Sequence, residues 1–91
     1  MKSNYEICIE GRVQSVGYRY FVMSKALELK LSGYTCNKSD GNVIVVAEGE
    51  TKDLDTLVDY LRLGPPLARV RRITVSRSSC SGNYTGFQIQ F

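Results

Sequence analysis

Hydrophobic spacing along this chain switches repeatedly between a period of two and a helical period, and the order of those switches limits the fold more than any other feature. Tyr5, Ile7 and Ile9 alternate with Glu6, Cys8 and Glu10, the pattern of a half-buried strand. An irregular stretch runs from Gly11 to Gly17. From Tyr18 to about Leu31 the spacing is helical, with Val22, Ala26 and Leu29 on one face. Ser32-Gly33 predicts the stop, with Gly33 in the left-handed position beyond the helix end. A short strand is expected over 34–37, then a turn at Lys38-Ser39-Asp40-Gly41 and a β-branched strand over 42–48. Thr51 is the expected N-cap of a second helix whose buried stripe is Leu54, Leu57, Val58 and Leu61. Asp53 and Asp55 lie near its positive end, and Gly64-Pro65-Pro66 terminates it. Ile73 and Val75 mark a strand over 70–78. After a polar loop at 79–86, Phe87, Ile89 and Phe91 alternate in a last one.

Strand, helix, strand, strand, helix, strand is the order of the split βαβ, or ferredoxin-like, α+β sandwich. It predicts one antiparallel sheet of four to five strands with two helices on one face. At 91 residues the chain suits one domain over 1–91, with no internal repeat or linker. An apolar fraction of 43% against 23% charged residues is that of a folded protein, so disorder is not expected. A monomer is the default expectation for this size.

Composition narrows the chemistry. There is no histidine, which removes every Ser-His, Cys-His and His-metal mechanism. Arg, Lys, Asn, Tyr, carboxylates, thiols and backbone amides remain. Cys8, Cys36 and Cys80 are odd in number and include no CxxC pair, against both a disulfide framework and a zinc site. They are expected to be free thiols in a reducing cytoplasm, Cys8 and Cys36 inert or weakly exposed. The start of the chain has no apolar run suited to a signal peptide or a membrane span, so the triplets at Asn37 and Asn83 are chance glycosylation matches. A net charge of +3 is too weak for a general nucleic-acid binder, and Arg69, Arg71, Arg72 and Arg77 read as a solvated strand face.

The sharpest signal lies at Gly11-Arg12-Val13-Gln14-Ser15-Val16-Gly17-Tyr18-Arg19. Between a strand and a helix, the first helical amides point outward without partners and favour an anion. Gly11 and Gly17 allow successive N–H groups to turn inward as a nest, and Arg19 can grip a phosphate through two hydrogen bonds. A plain connection with an exposed arginine would leave the same local pattern.

Residues 11–19 closely resemble the first signature of the acylphosphatase family. Gly33-Tyr34-Thr35-Cys36-Asn37, followed by Asp40-Gly41-Asn42-Val43, resembles the second, and Glu48-Gly49 and Gly86-Phe87-Gln88-Ile89 agree as well. The resemblance covers nearly the whole chain. It implies a hydrolase that cleaves the carboxyl-phosphate bond of acyl phosphates, without cofactor, metal or covalent intermediate. By the same resemblance the amides of Gln14, Ser15, Val16, Gly17, Tyr18 and Arg19 cradle the phosphate with the Arg19 guanidinium, and Asn37 orients the attacking water. Inorganic phosphate and sulfate are the anions expected to compete. Ser15 stands where the family usually has glycine, and Tyr34-Thr35-Cys36 replaces a more usual Trp-Val-Arg or Trp-Val-Lys. Tyr18 replaces phenylalanine, and Ile44 a common polar residue.

Three other readings compete with this one. Gly17-Tyr18-Arg19-Tyr20-Phe21-Val22 faintly resembles the aromatic element of RNA-recognition domains, but that element belongs on a third strand. A metal chaperone of this fold needs a CxxC in its first loop. A structural domain that has lost activity is separated only by assay. Tyr20 and Phe21 are expected in or around the core, and Lys38 as a solvated turn residue.

Overall fold

The computed structural model describes all 91 residues. Strand β1 (Lys2–Arg12) leads to helix α1 (Tyr18–Glu28), then β2 (Ser32–Asn37), β3 (Val43–Glu50), α2 (Thr51–Leu63), β4 (Arg69–Ser79) and β5 (Phe87–Gln90). The five strands form one sheet in the order β4-β1-β3-β2-β5. No helix is long and apolar enough to cross a membrane.

Alternation along the strands sends Tyr5, Ile7 and Ile9 of β1 and Val43, Val45 and Ala47 of β3 to one face. Val22 and Ala26 of α1 and Leu54, Leu57 and Leu61 of α2 meet them in one buried cluster. Each of the Val, Ile and Leu side chains contributes about 1.5–3 kcal/mol on burial, which is why both helices settle on this face. The Tyr5 hydroxyl donates to Asp55 of α2, satisfying the polar tip of a buried ring.

Four differences from the sequence pattern have physical causes. The sheet is mixed, because β5 runs parallel to β2. After β4, on one edge, the chain crosses to the other edge through residues 80–86 instead of reversing beside β4. Helix α1 ends at Glu28, and the left-handed residue near its end is Lys30 (φ 57°), not Gly33. Gly33 lies inside β2, where a Cβ would come within 1.9 Å of the Val46 carbonyl oxygen; glycine is required by close approach. Thr51 is the first residue of α2 rather than its cap: its hydroxyl donates to the Met1 carbonyl at 2.9 Å and bonds Ser3 at 2.6 Å. Phe21 does pack on the core, but Tyr20 is 61% exposed.

The crossing segment is fastened by Glu48, a β3 residue on the face away from the helices and only 2% exposed. Its carboxylate accepts from Asn4 Nδ2 (2.7 Å), Ser81 N (2.8 Å), Ser81 Oγ (2.7 Å) and Gly82 N (3.0 Å). Burial by itself would push this carboxyl up; the bonds from Asn4, Ser81 and Gly82 prevail and hold its pKa at about 2. Tyr84 then lies against Tyr34, ring centroids 5.9 Å apart. Nothing in the local pattern of 79–86 announces this clasp.

Candidate active site

The 13–17 loop leaves the sheet where β1 pairs with β4. A bulge at Glu10/Gly11 turns the strand, and Gly11 (φ 135°) packs so closely that a Cβ would meet Arg69 O at 2.1 Å. Val13 is buried and Val16 packs on the core, which pins the loop from beneath. Ser15 (φ 60°) and Gly17 (φ 79°) both adopt left-handed backbone. Alternating handedness of this kind turns successive N–H groups to one side. A side chain at position 15 therefore carries a steric cost of about 1–2 kcal/mol.

Helix α1 begins immediately afterwards, and its first intrahelical bond runs from Phe21 N to Gly17 O at 3.1 Å. The amides of Tyr18, Arg19 and Tyr20 therefore have no acceptor in the helix. No side chain caps this end and no acidic residue occupies its first turn. The positive end of the helix dipole is left for an outside anion. Tyr18 anchors the turn, its buried hydroxyl donating to the Leu61 carbonyl near the end of α2 at 2.6 Å. Burial raises the Tyr18 pKa, so the hydroxyl stays protonated and fixed as a donor.

Ser15, Gly17, Tyr18 and Arg19 line a cleft of about 160 Å³ together with Val13, Tyr20 and Asn37. Asn37 reaches it from the exposed end of β2. Gln14 and Val16 do not line the cleft. The Gln14 carboxamide instead donates to the carbonyls of Lys38 (2.7 Å) and Asn42 (3.0 Å), tying the loop to the β2–β3 turn that follows Asn37. That turn is closed by Lys38 N to Asn42 O at 2.8 Å and by Asp40 accepting from the Asn42 amide at 3.0 Å. Lys38 pairs with Asp40 at 3.6 Å.

Arg19 has a seat that its own neighbourhood does not reveal. Its Nη1 donates to the Gln90 carbonyl at 3.3 Å, and its guanidinium carbon lies 4.7 Å above the Phe91 ring. Both contacts come from the far end of the chain, on the edge strand β5 and the residue beyond it. An arginine held by one carbonyl and one ring keeps its remaining N–H donors free for an anion. Elsewhere, no three His, Cys, Asp or Glu residues lie together as metal ligands would.

Comparison with known proteins agrees with this geometry. The sequence pattern of the Acylphosphatase family matches residues 5–89. The acylphosphatase of Thermus thermophilus is 48% identical over 81 residues, covering 89% of this chain and 91% of its own length. The crystal structure of acylphosphatase from Bacillus subtilis superposes with a TM-score of 0.95 at 37% identity, covering 98% of this chain and 99% of that one. An acylphosphatase from Coxiella burnetii superposes at 0.91 with 32% identity, over 98% and 93% of the two chains. With its sequence matched almost end to end and its loop, helix start and β2 terminus folded into one cleft, this chain belongs to the acylphosphatase family.

Proposed function

We propose that the amides of Ser15, Gly17, Tyr18 and Arg19, with the Arg19 guanidinium, hold the phosphate of an acyl phosphate, while Asn37 aims the water that attacks it. The chain is an acylphosphatase, a hydrolase that yields a carboxylate and inorganic phosphate. One observation carries the residue roles: Arg19 and Asn37, from different elements, line the same cleft as the left-handed residues Ser15 and Gly17.

The chemistry suits a chain without histidine. Phosphoryl transfer depends on positioning and charge stabilisation more than on covalent help. The water oxygen bonds to phosphorus, the bond from phosphorus to the acyl oxygen breaks, and its electron pair leaves on the carboxylate. A carboxylic acid has a pKa of about 4, so this group departs as a stable anion and needs no general acid. The water proton passes to a phosphate oxygen of the substrate. Arg19 and the loop amides stabilise the charge on the equatorial oxygens, and the Asn37 carboxamide oxygen accepts a hydrogen bond from the water. No step calls for a metal ion.

The test is phosphate release from acetyl phosphate by the purified chain after exhaustive chelation, with an alkyl phosphate monoester as control. We expect turnover of the first, unchanged by chelation, and none of the second, whose alkoxide would need protonation on leaving. Activity lost on chelation and restored by a divalent ion would overturn the metal-free route. Inorganic phosphate or sulfate should inhibit competitively and raise the melting temperature at constant ionic strength, because an anion bound only by the folded loop stabilises the fold.

A further inference from the structure

Tyr20 is the one large side chain at the cleft that neither the fold nor the proposed chemistry uses. It lines the same cavity as Arg19 and Asn37 and is 61% exposed. The two aromatic neighbours in this turn differ from it: Tyr18 is buried and hydrogen-bonded to Leu61, and Phe21 packs on the core. Phe91, also exposed, is covered on one face by Arg19. The Tyr20 ring has no comparable partner.

An acyl phosphate has two ends, and the loop and Arg19 account for only one. A cavity of about 160 Å³ shared with the phosphate leaves little enclosed room for an acyl group of any size. That group must extend over the rim, onto the first turn of α1. We infer that Tyr20 is the platform for the acyl group and gives the enzyme a preference for acyl phosphates whose acyl part is flat and unsaturated, aryl above all. A rigid ring with two rotatable bonds offers a broad apolar face at low entropic cost, and offset or edge-to-face contact adds to area burial. Tyr20 contacts the non-reacting part of the substrate, so its effect falls on binding more than on the chemical step.

This inference rests on the phosphate site proposed above, and the experiment separates the two. Hydrolysis of benzoyl phosphate and acetyl phosphate is compared for the wild type, Tyr20→Ala and Tyr20→Phe, each checked for thermal unfolding. In parallel, calorimetry measures binding of two non-hydrolysable β-ketophosphonates, one phenyl and one methyl, in which CH₂ replaces the scissile oxygen. We expect Tyr20→Ala to lose roughly tenfold in kcat/KM on benzoyl phosphate, mainly through KM, and at most about twofold on acetyl phosphate. Tyr20→Phe should keep the preference, and the phenyl phosphonate should lose its affinity advantage only in Tyr20→Ala. Equal losses on both substrates, or none on either, would overturn the platform. If the wild type hydrolyses neither compound, the catalytic assignment fails; the ratio of phosphonate affinities and its response to Tyr20→Ala still decide the role of Tyr20.

Discussion

Two regions of this molecule set loop amides beside left-handed backbone, one around an anion that it keeps and one, in the proposed function, around an anion that it binds and releases. At Glu48 the anion is part of the chain. It is 2% exposed and takes bonds from Asn4, Ser81 and Gly82, with Gly82 in left-handed backbone (φ 73°). At the 13–19 loop the left-handed residues are Ser15 and Gly17, both exposed, and both line an open cleft. The first site has only neutral donors. The second adds the charge of Arg19. A monoanion that never leaves is held well by dipoles, since its desolvation is met once, in folding. A substrate that arrives as a phosphate dianion and passes through a charged transition state gains from a cation aimed where that charge sits.

The contrast breaks most readily at Arg19. Arg19→Gln should lose about 2–5 kcal/mol of transition-state stabilisation, with weaker phosphate inhibition, as for truncating a charged hydrogen-bonded pair. The measurements are kcat/KM and the phosphate inhibition constant. A variant with near-normal phosphate affinity would show that neutral donors suffice to hold the anion, as they do at Glu48. Asn37→Ala comes next: turnover should fall roughly 10²–10³-fold while phosphate affinity stays within about twofold, because only the water is misplaced. Full activity per folded molecule in a destabilised variant would reduce Asn37 to a strand-end residue.

Glu48→Ala should show the reverse dissociation. Removing the carboxylate strands the Ser81 and Gly82 amides and frees the crossing segment, at a cost of about 3 kcal/mol in urea unfolding, with turnover per folded molecule unchanged. A pH series sharpens this further. The folded carboxyl titrates at about 2, below its ordinary 4.5, so its contribution is complete above pH 4.5 and drains away as pH falls towards 2. The stability gap between wild type and Glu48→Gln should close over that window. Glu50, beside the N-terminal ammonium, shifts the same way in both proteins, so the difference isolates Glu48. A gap that stayed constant with pH would show that the charge contributes nothing.

The smallest effect is at Ser15. Ser15→Gly relieves the left-handed strain but adds freedom to the unfolded chain, and the net gain should be about 0.5 kcal/mol. Ser15→Val should go the other way by about 2 kcal/mol, because a β-branched residue tolerates positive φ least. If neither changes the melting temperature, the loop relaxes around position 15 and its geometry is less rigid than that of the Glu48 clasp.

The sequence by itself determined the order of the elements and the Asp40-Gly41 turn, though not the stop of α1 or the cap of α2. Alternation at Tyr5, Ile7 and Ile9, the stripe Leu54-Leu57-Val58-Leu61 and the Asp40-Gly41 turn all reappear where the local pattern put them. They are legible because strand and helix periods are properties of neighbouring residues. The motif around Arg19 and Asn37 was legible too, through its resemblance to a family. Tertiary structure decided what no local period encodes. β5 joins the sheet beside β2, Glu48 catches an amide 33 residues away, Gln14 ties its loop to a turn 24 residues on, and Arg19 rests on a carbonyl 71 residues distant. These contacts depend on which edges and loops the packed core brings together. The chain shows them only after its apolar faces have been buried.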